Sequence, residues 1–294
     1  MNKQKITRDE LILLQKYLDE GYTQQKAARL VGLNPKSMYT YVKRHNLKVK
    51  KRFGRVRINE EYFDNIDTEA KAYILGFILA DGYIQKSRNN YSLNINNSID
   101  DTSAIEIIKN EISPEGSILH SNKQIGAKFR KPQLSIRVCS TKLCITLMEK
   151  YGIKPAKTFI EDYQFNFELI PQDLIRHFIR GYFDGDGSVS AHKYQKVFFF
   201  NFSFVFNSLN LCEQFAEIFE SLFNLKRKIY KHEGKTANWV SMRFNYDKKR
   251  LEEIKKIYEY LYKDSKYYLT RKKLKFEEYF KYRANSPDKE WKVA

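Results

Sequence analysis

Cysteine, histidine and acidic side chains are all scarce in this 294-residue chain, and each shortage narrows what the chain can do. Three cysteines, Cys139, Cys144 and Cys212, are odd in number and fit neither a disulfide framework nor a zinc knuckle, which predicts reduced thiols in an intracellular compartment. Five histidines, His45, His120, His177, His192 and His232, show no metal-box spacing. No apolar run is long enough to cross a bilayer, and the N-terminal MNKQKITRDELILLQ lacks the apolar core of a secretion signal. The expectation is a cytoplasmic protein without a membrane partner.

The acid shortage is the most informative. Against 53 Lys and Arg stand 35 Asp and Glu, a net charge of +18, which predicts a polyanionic partner and nucleic acid first. An AT-rich coding bias enriches lysine but does not cluster it, and here the charges cluster. The stretch KRHNLKVKKRFGRVRIN, 43–59, holds eight Lys and Arg without an acid, and KYYLTRKKLKF, 266–276, is a second basic block. With 42% hydrophobic and 30% charged residues, the chain is a soluble globular protein long enough for a core and an accessory module.

The first 47 residues read as three helices. Thr7 and Glu10 stand at capping-box spacing before Leu11, Leu14 and Leu18; Thr23 caps a second helix that stops at Gly32; Asn34 and Pro35 open a third. Helix, helix, glycine turn, helix is the helix-turn-helix layout. Ala28 permits a close crossing, Met38 and Val42 face inward, and Lys36, Ser37, Tyr39, Thr40 and Lys43 face a major groove. Residues 48–68 read as a basic linker in which Arg55 and Arg57 track phosphates.

Beyond the linker one plan occurs twice, over 69–165 and 166–283, with a tail at 284–294. Each half reads helix, two strands, helix, two strands, helix. In VFFFNFSFVFN the residues Phe198, Phe200, Phe202, Phe204 and Phe206 share one face, and Asn201, Ser203 and Asn207 the other. YSLNINNSI separates Leu93, Ile95 and Ile99 from Ser92, Asn94, Asn96 and Ser98; QLSIRV sets Arg137, and WVSMRFN sets Arg243, on the polar face. Half-exposed antiparallel sheets always alternate, but these polar faces carry amides and guanidinium groups and almost no acid, which suits base edges beside phosphate.

Two helices end in Asp-Gly, in AYILGFILADGYI and FIRGYFDGDGSV. Gly76 and Ala80, and likewise Gly181 and Gly185, stand four apart, so each helix has a flat stripe along which the two backbones can approach closely. Asp81 and Asp186 then emerge side by side at helix C-termini, where each repels the other and meets the negative end of a dipole. A divalent cation with hard oxygen ligands, Mg²⁺ or Mn²⁺, relieves both penalties, and metal ions in such sites clamp a phosphodiester.

ILGFILADG and IRGYFDGDG, 105 residues apart by their last acids, resemble the signature of the LAGLIDADG homing endonucleases in the single-chain, two-motif form. The resemblance spans about residues 69–283. It implies an α+β class: a pseudo-twofold tandem αββαββα fold with saddle-shaped antiparallel sheets, here preceded by a small all-α helix-turn-helix domain. It also implies a monomer that hydrolyses both strands of a long, asymmetric duplex DNA target, encoded by a bacterium, a phage or a mobile element such as an intron. By the same resemblance Asp81 and Asp186 are the metal ligands and Asp184, opposite the apolar Leu79, is structural. A basic residue serves each half: Lys157 ahead of Lys154 in the first, and Arg271 or Lys272 in the second, with Lys272 as the catalytic candidate and Arg271 as a DNA contact. Two alternatives share the scaffold, a catalytically inactive DNA-binding regulator and a maturase that binds intron RNA.

Overall fold

The computed structural model describes residues 6–20, 22–49, 56–121, 124–125, 128–129, 132–160, 162–194, 197–234, 238–245 and 251–285. Contacts divide the chain into two units, Met1–Val56 and Arg57–Ala294.

In the first unit α1 spans Arg8–Asp19, α2 Gln24–Leu30 and α3 Met38–Arg44. The capping box forms as the spacing requires: the Glu10 N–H donates to Thr7 Oγ1 at 3.2 Å and the Thr7 N–H to Glu10 Oε2 at 2.7 Å. Thr23 caps α2, and Gly32 takes the left-handed φ of +74° that turns the chain toward α3. The third helix differs from expectation, because Pro35–Ser37 forms a 3₁₀ turn and α-geometry starts only at Met38. Leu14, Leu18, Ala27, Ala28, Val31, Leu33 and Met38 make a core of its own for this unit. Lys36, Tyr39, Thr40 and Lys43 are exposed and Ser37 is half-buried, which leaves the predicted reading face free.

The second unit is built from two matching halves. The first contains α4 (Glu69–Asp81), β1 (Gly82–Ser87), β2 (Asn90–Ser98), α5 (Thr102–Ile112), β3 (Leu119–Ser121), β4 (Gln124–Ile125), β5 (Lys128–Phe129), β6 (Gln133–Val138) and α6 (Thr141–Glu149). The second contains α7 (Ile175–Asp186), β7 (Gly187–Tyr194), β8 (Val197–Phe206), α8 (Leu209–Phe223), β9 (Ile229–His232), β10 (Trp239–Asn245), α9 (Leu251–Tyr262) and α10 (Thr270–Ala284). The two main sheets have the same antiparallel order, β1-β2-β6-β3 and β7-β8-β10-β9, and β4 and β5 form a small extra ribbon.

Register makes the equivalence quantitative. Gly82 pairs with Ile95 and Gly187 with Phe204, each glycine following directly on a motif helix. Arg137 pairs with Asn94, and Arg243 with Ser203, so these two arginines occupy equivalent places on their sheets. All five phenylalanines of β8 on the predicted apolar face are buried, and Leu93 and Ile95 match them in β2. Ile99 is an exception. It was expected on that face but is 41% exposed, because β2 ends at Ser98 and a 3₁₀ turn begins at Ile99.

Two boundaries also differ. The second part of the 48–68 segment is not a linker: Tyr62, Phe63 and Ile66 are buried in the core, Tyr62 donates to Glu111 Oε2 at 3.1 Å, and the basic character stops at Arg57. The repeat plan also lacked a helix after α9. Within the second basic block starts α10, whose Phe276 and Tyr279 cover the apolar face of β8, with Tyr279 stacked on Phe200 at 4.3 Å. Lysines and arginines crowding its first turns hid that apolar stripe. Of the 284–294 tail only 284 and 285 lie among the described residues.

Candidate active site and nucleic-acid interface

The motif helices α4 and α7 form the seam between the halves, running side by side with their C-terminal ends together. A β-carbon on Gly76 would run into the Phe178 carbonyl, and one on Gly181 into the Tyr73 carbonyl, so the small-residue stripes put backbone on backbone. Gly185 faces Ala80, and a β-carbon there would sit 3.4 Å from Asp81 Oδ2, which places the carboxylate of one half against the helix of the other. The terminal glycines answer to sterics and not to torsion. Gly82 and Gly187 have ordinary φ values of −76° and −80°, but a side chain on either would strike the last turn of its own helix, at Ile78 or Phe183. Asp-Gly therefore marks where a strand folds tightly off a helix end and leaves the acid at the seam.

That placement is electrostatically costly. Burial first, and the Asp186 charge second, push the Asp81 carboxyl up to about 7, against the pull of Lys272 and Lys157. Asp186 is raised too, by burial, against Lys157 and Lys272. Each acid thus has two lysines holding it toward the charged form.

Both predicted lysines sit at the acid pair, in matching roles. Lys157 Nζ donates to the carbonyls of Ala80 at 3.2 Å and Gly82 at 2.5 Å; Lys272 Nζ donates to those of Phe183, Asp184 and Gly187 at 2.6, 2.7 and 2.6 Å. Each ammonium therefore caps the carbonyl end of its own half's motif helix, where the dipole favours a cation. This differs from a lysine lying on a scissile phosphate. Lys272 is 1% exposed with its protons directed at carbonyls, and burial draws it down to about 8. Arg271, the other second-half candidate, turns to Asp101 in a two-pronged ion pair, with Nη2 to Oδ2 at 2.8 Å and Nε to Oδ1. That pair bridges the two halves and occupies the fork expected to meet DNA.

On the outer sheet faces, Asn96 and Asn201 are exposed and Ser203 is half-buried. Arg137 is exposed but preset, with Nε on Asn94 Oδ1 at 2.8 Å and Nη2 on Gln85 Oε1 at 2.5 Å. Asn94 corrects the expectation that it reads bases, because it is 6% exposed and spends its amide on Arg137 and Ser92. Its cross-strand register opposite Arg137 makes it a support for that arginine. Arg243 is held by Ser241 and His232, at 3.1 Å each, and lies over the Tyr230 ring. Arg57 is exposed, and Arg55 lies outside the described residues.

Sequence reasoning missed a buried polar network behind the seam. Arg180, 0% exposed, donates to Glu69 Oε1 at 2.7 Å and to the carbonyls of Leu261 and Tyr267, tying α7 to the start of α4, the end of α9 and the α9–α10 loop. Arg180, one residue before the small-residue stripe position Gly181 in the middle of the motif helix, was the available signal. Asp184 is also fully enclosed and accepts from Tyr73 and Leu269, in keeping with a structural place.

A divalent cation fits this donor set. Among the described residues no group of three or more His, Cys, Asp or Glu side chains could hold a metal, so Asp81 and Asp186 would have to be completed by water and phosphate oxygens. Two half-buried carboxylates with hard oxygens, both disfavoured as anions by burial and Asp81 also by the charge of Asp186, suit Mg²⁺ on those terms.

Residues 173–271 match the family model of a LAGLIDADG-like domain, and residues 70–133 that of the WhiA LAGLIDADG-like domain. The chain belongs to the LAGLIDADG family. Its two motif regions are matched separately, one in each half. Solved structures of LAGLIDADG proteins are similar to the chain at low identity. I-GzeII in complex with its DNA target is 16% identical over 74% of this chain and 91% of that one, with a TM-score of 0.48. I-LtrWI bound to target DNA is 13% identical over 78% and 92%, also at 0.48, and I-SmaMI bound to uncleaveable DNA is 14% identical over 76% and 93%, at 0.46. No curated protein matches the chain. No helix among the described residues is long and apolar enough to cross a membrane.

Proposed function

We propose that this LAGLIDADG protein is a site-specific, divalent-metal-dependent endonuclease that acts as a monomer and hydrolyses both strands of a long, asymmetric DNA target. The observation that carries the reading is the seam itself, where two backbones in contact deliver Asp81 and Asp186 to one spot and hold both carboxyls under electrostatic stress. Mg²⁺ or Mn²⁺, when bound, supplies charge to the phosphate oxygens and lowers the pKa of a bound water. The protein's part is to hold the ion through Asp81 and Asp186. Lys157 and Lys272 neutralise the helix ends and favour ionised acids without offering a proton to the phosphate. The acid-poor sheet faces bind the duplex, with Arg137 and Arg243 in equivalent positions suited to guanine edges. Lys36, Tyr39, Thr40 and Lys43 of the first unit give a second reading surface for a major groove.

A second reading, a DNA-binding regulator without catalysis, is favoured by the match of residues 70–133 to the WhiA domain. Retention of both acids favours the nuclease. Cleavage selection from randomised duplex DNA with Mg²⁺, with Ca²⁺ as the binding-only control, separates them. An endonuclease enriches cut sequences; enrichment by binding alone, with no product under Mg²⁺ or Mn²⁺, supports the regulator.

A further inference from the structure

We propose that Asp184 is a positioning residue that delivers Lys272 to the acid pair, and that this device makes one strand's cleavage depend on a support the other strand's does not need. The proposal rests on the endonuclease reading. Asp184 lies in the last turn of α7, 1% exposed, and its Oδ2 accepts the Leu269 N–H at 2.7 Å and the Tyr73 hydroxyl at 2.9 Å, while Tyr262 donates to Oδ1 at 3.4 Å. Leu269 is the N-cap residue of α10, a helix with no side-chain cap of its own, so a carboxylate from α7 takes that place at the positive end of the dipole. Three residues later Lys272 returns to α7 and caps its carbonyls. The two helices hold each other: α7 anchors the start of α10 with a carboxylate, and α10 covers the end of α7 with an ammonium.

The first half has no such clamp. Leu79 stands where Asp184 does, two residues before the acid. Lys157 opens a short 3₁₀ turn, Lys157–Phe159, behind Ala156 at φ 55°, with no side-chain cap, and reaches two carbonyls. Lys272 caps the helix end that carries Asp186 and Lys157 the one that carries Asp81, so loss of the Asp184 anchor disturbs the support of one acid and leaves that of the other in place.

Removing Asp184 alone strands two buried hydroxyls besides the Leu269 N–H, so the test uses D184L/Y73F/Y262F, which makes the three side chains apolar and leaves only that amide without its acceptor. D184N, which keeps an acceptor for the Leu269 N–H, is the conservative partner. Circular dichroism and DNA binding with Ca²⁺ establish that each variant is folded. On a supercoiled plasmid carrying the selected target, the triple variant should accumulate nicked circles, with one strand slowed about tenfold to a hundredfold more than the other, and D184N should fall between it and wild type. Acetic anhydride labelling read by mass spectrometry provides a measure independent of catalysis: Lys272 should become reactive in the triple variant while Lys157 stays protected. Equal slowing of both strands, or an unchanged Lys272 labelling pattern, overturns the proposal. Absence of any cut by the wild type instead removes the endonuclease reading, and the labelling still decides where Asp184 holds Lys272.

Discussion

The two halves of the larger unit agree in everything that touches the acids and differ in what stands behind them. Gly76 answers Gly181, Gly82 answers Gly187, and Lys157 and Lys272 cap equivalent carbonyls. Behind that front, the second half adds α10, the Asp184 anchor and the buried Arg180–Glu69 pair, while the first relies on a 3₁₀ turn. The comparison teaches that a seam fixed by backbone contact constrains both halves alike, whereas supports away from the seam can be built in more than one way.

The largest expected effect tests the shared front. Asp81→Asn and Asp186→Asn should each lower Mg²⁺-dependent cleavage about 10³-fold or more while sparing binding under Ca²⁺. Strongly unequal losses, measured by single-turnover cleavage, would break the equivalence of the two acids. Next comes the seam: Gly76→Val and Gly181→Val each drive a side chain into a carbonyl of the opposite helix, and each should cost about 3 kcal/mol or unfold the unit, read from urea denaturation. A mild effect of either would show that the helices can separate.

A smaller effect distinguishes the two sheets. Arg137→Ala and Arg243→Ala should relax base preference in different half-sites, by about 1–3 kcal/mol at one position each. Relaxation in the same half-site would contradict the register that makes them equivalents. The smallest effect concerns pH. Asp81 has a folded value of about 7 against an ordinary 3.8, so the folded state holds the extra proton; its contribution to stability is present below about pH 4 and is lost as pH rises through about 7. Without metal, Asp81→Asn should therefore melt close to wild type near pH 4 and a few degrees above it at pH 8. Mg²⁺ should raise the melting temperature of the wild type more than that of the variant. The opposite order at pH 8 would mean that Asp81 is not under strain.

Much of the site was legible because it rests on local rules. Paired small residues four apart and acids at helix ends gave the seam and its carboxylates, and alternation in VFFFNFSFVFN picked out the five phenylalanines that face the core. Asn94 and Arg271 were misplaced for a shared reason. Both are polar groups that find a protein partner, Arg137 and Asp101, far away in sequence. The path of α10 was hidden because its cations outweigh the two aromatic residues that bury it.

The chain alone determined the twofold plan, the pair of acids and the basic character, since these follow from periodicity, spacing and composition along the backbone. Only the tertiary structure decided which cations reach the acids, that their protons go to carbonyls, and which sheet residues remain free. Those outcomes depend on competition among partners brought together by folding, and no order of residues along a chain records who wins it.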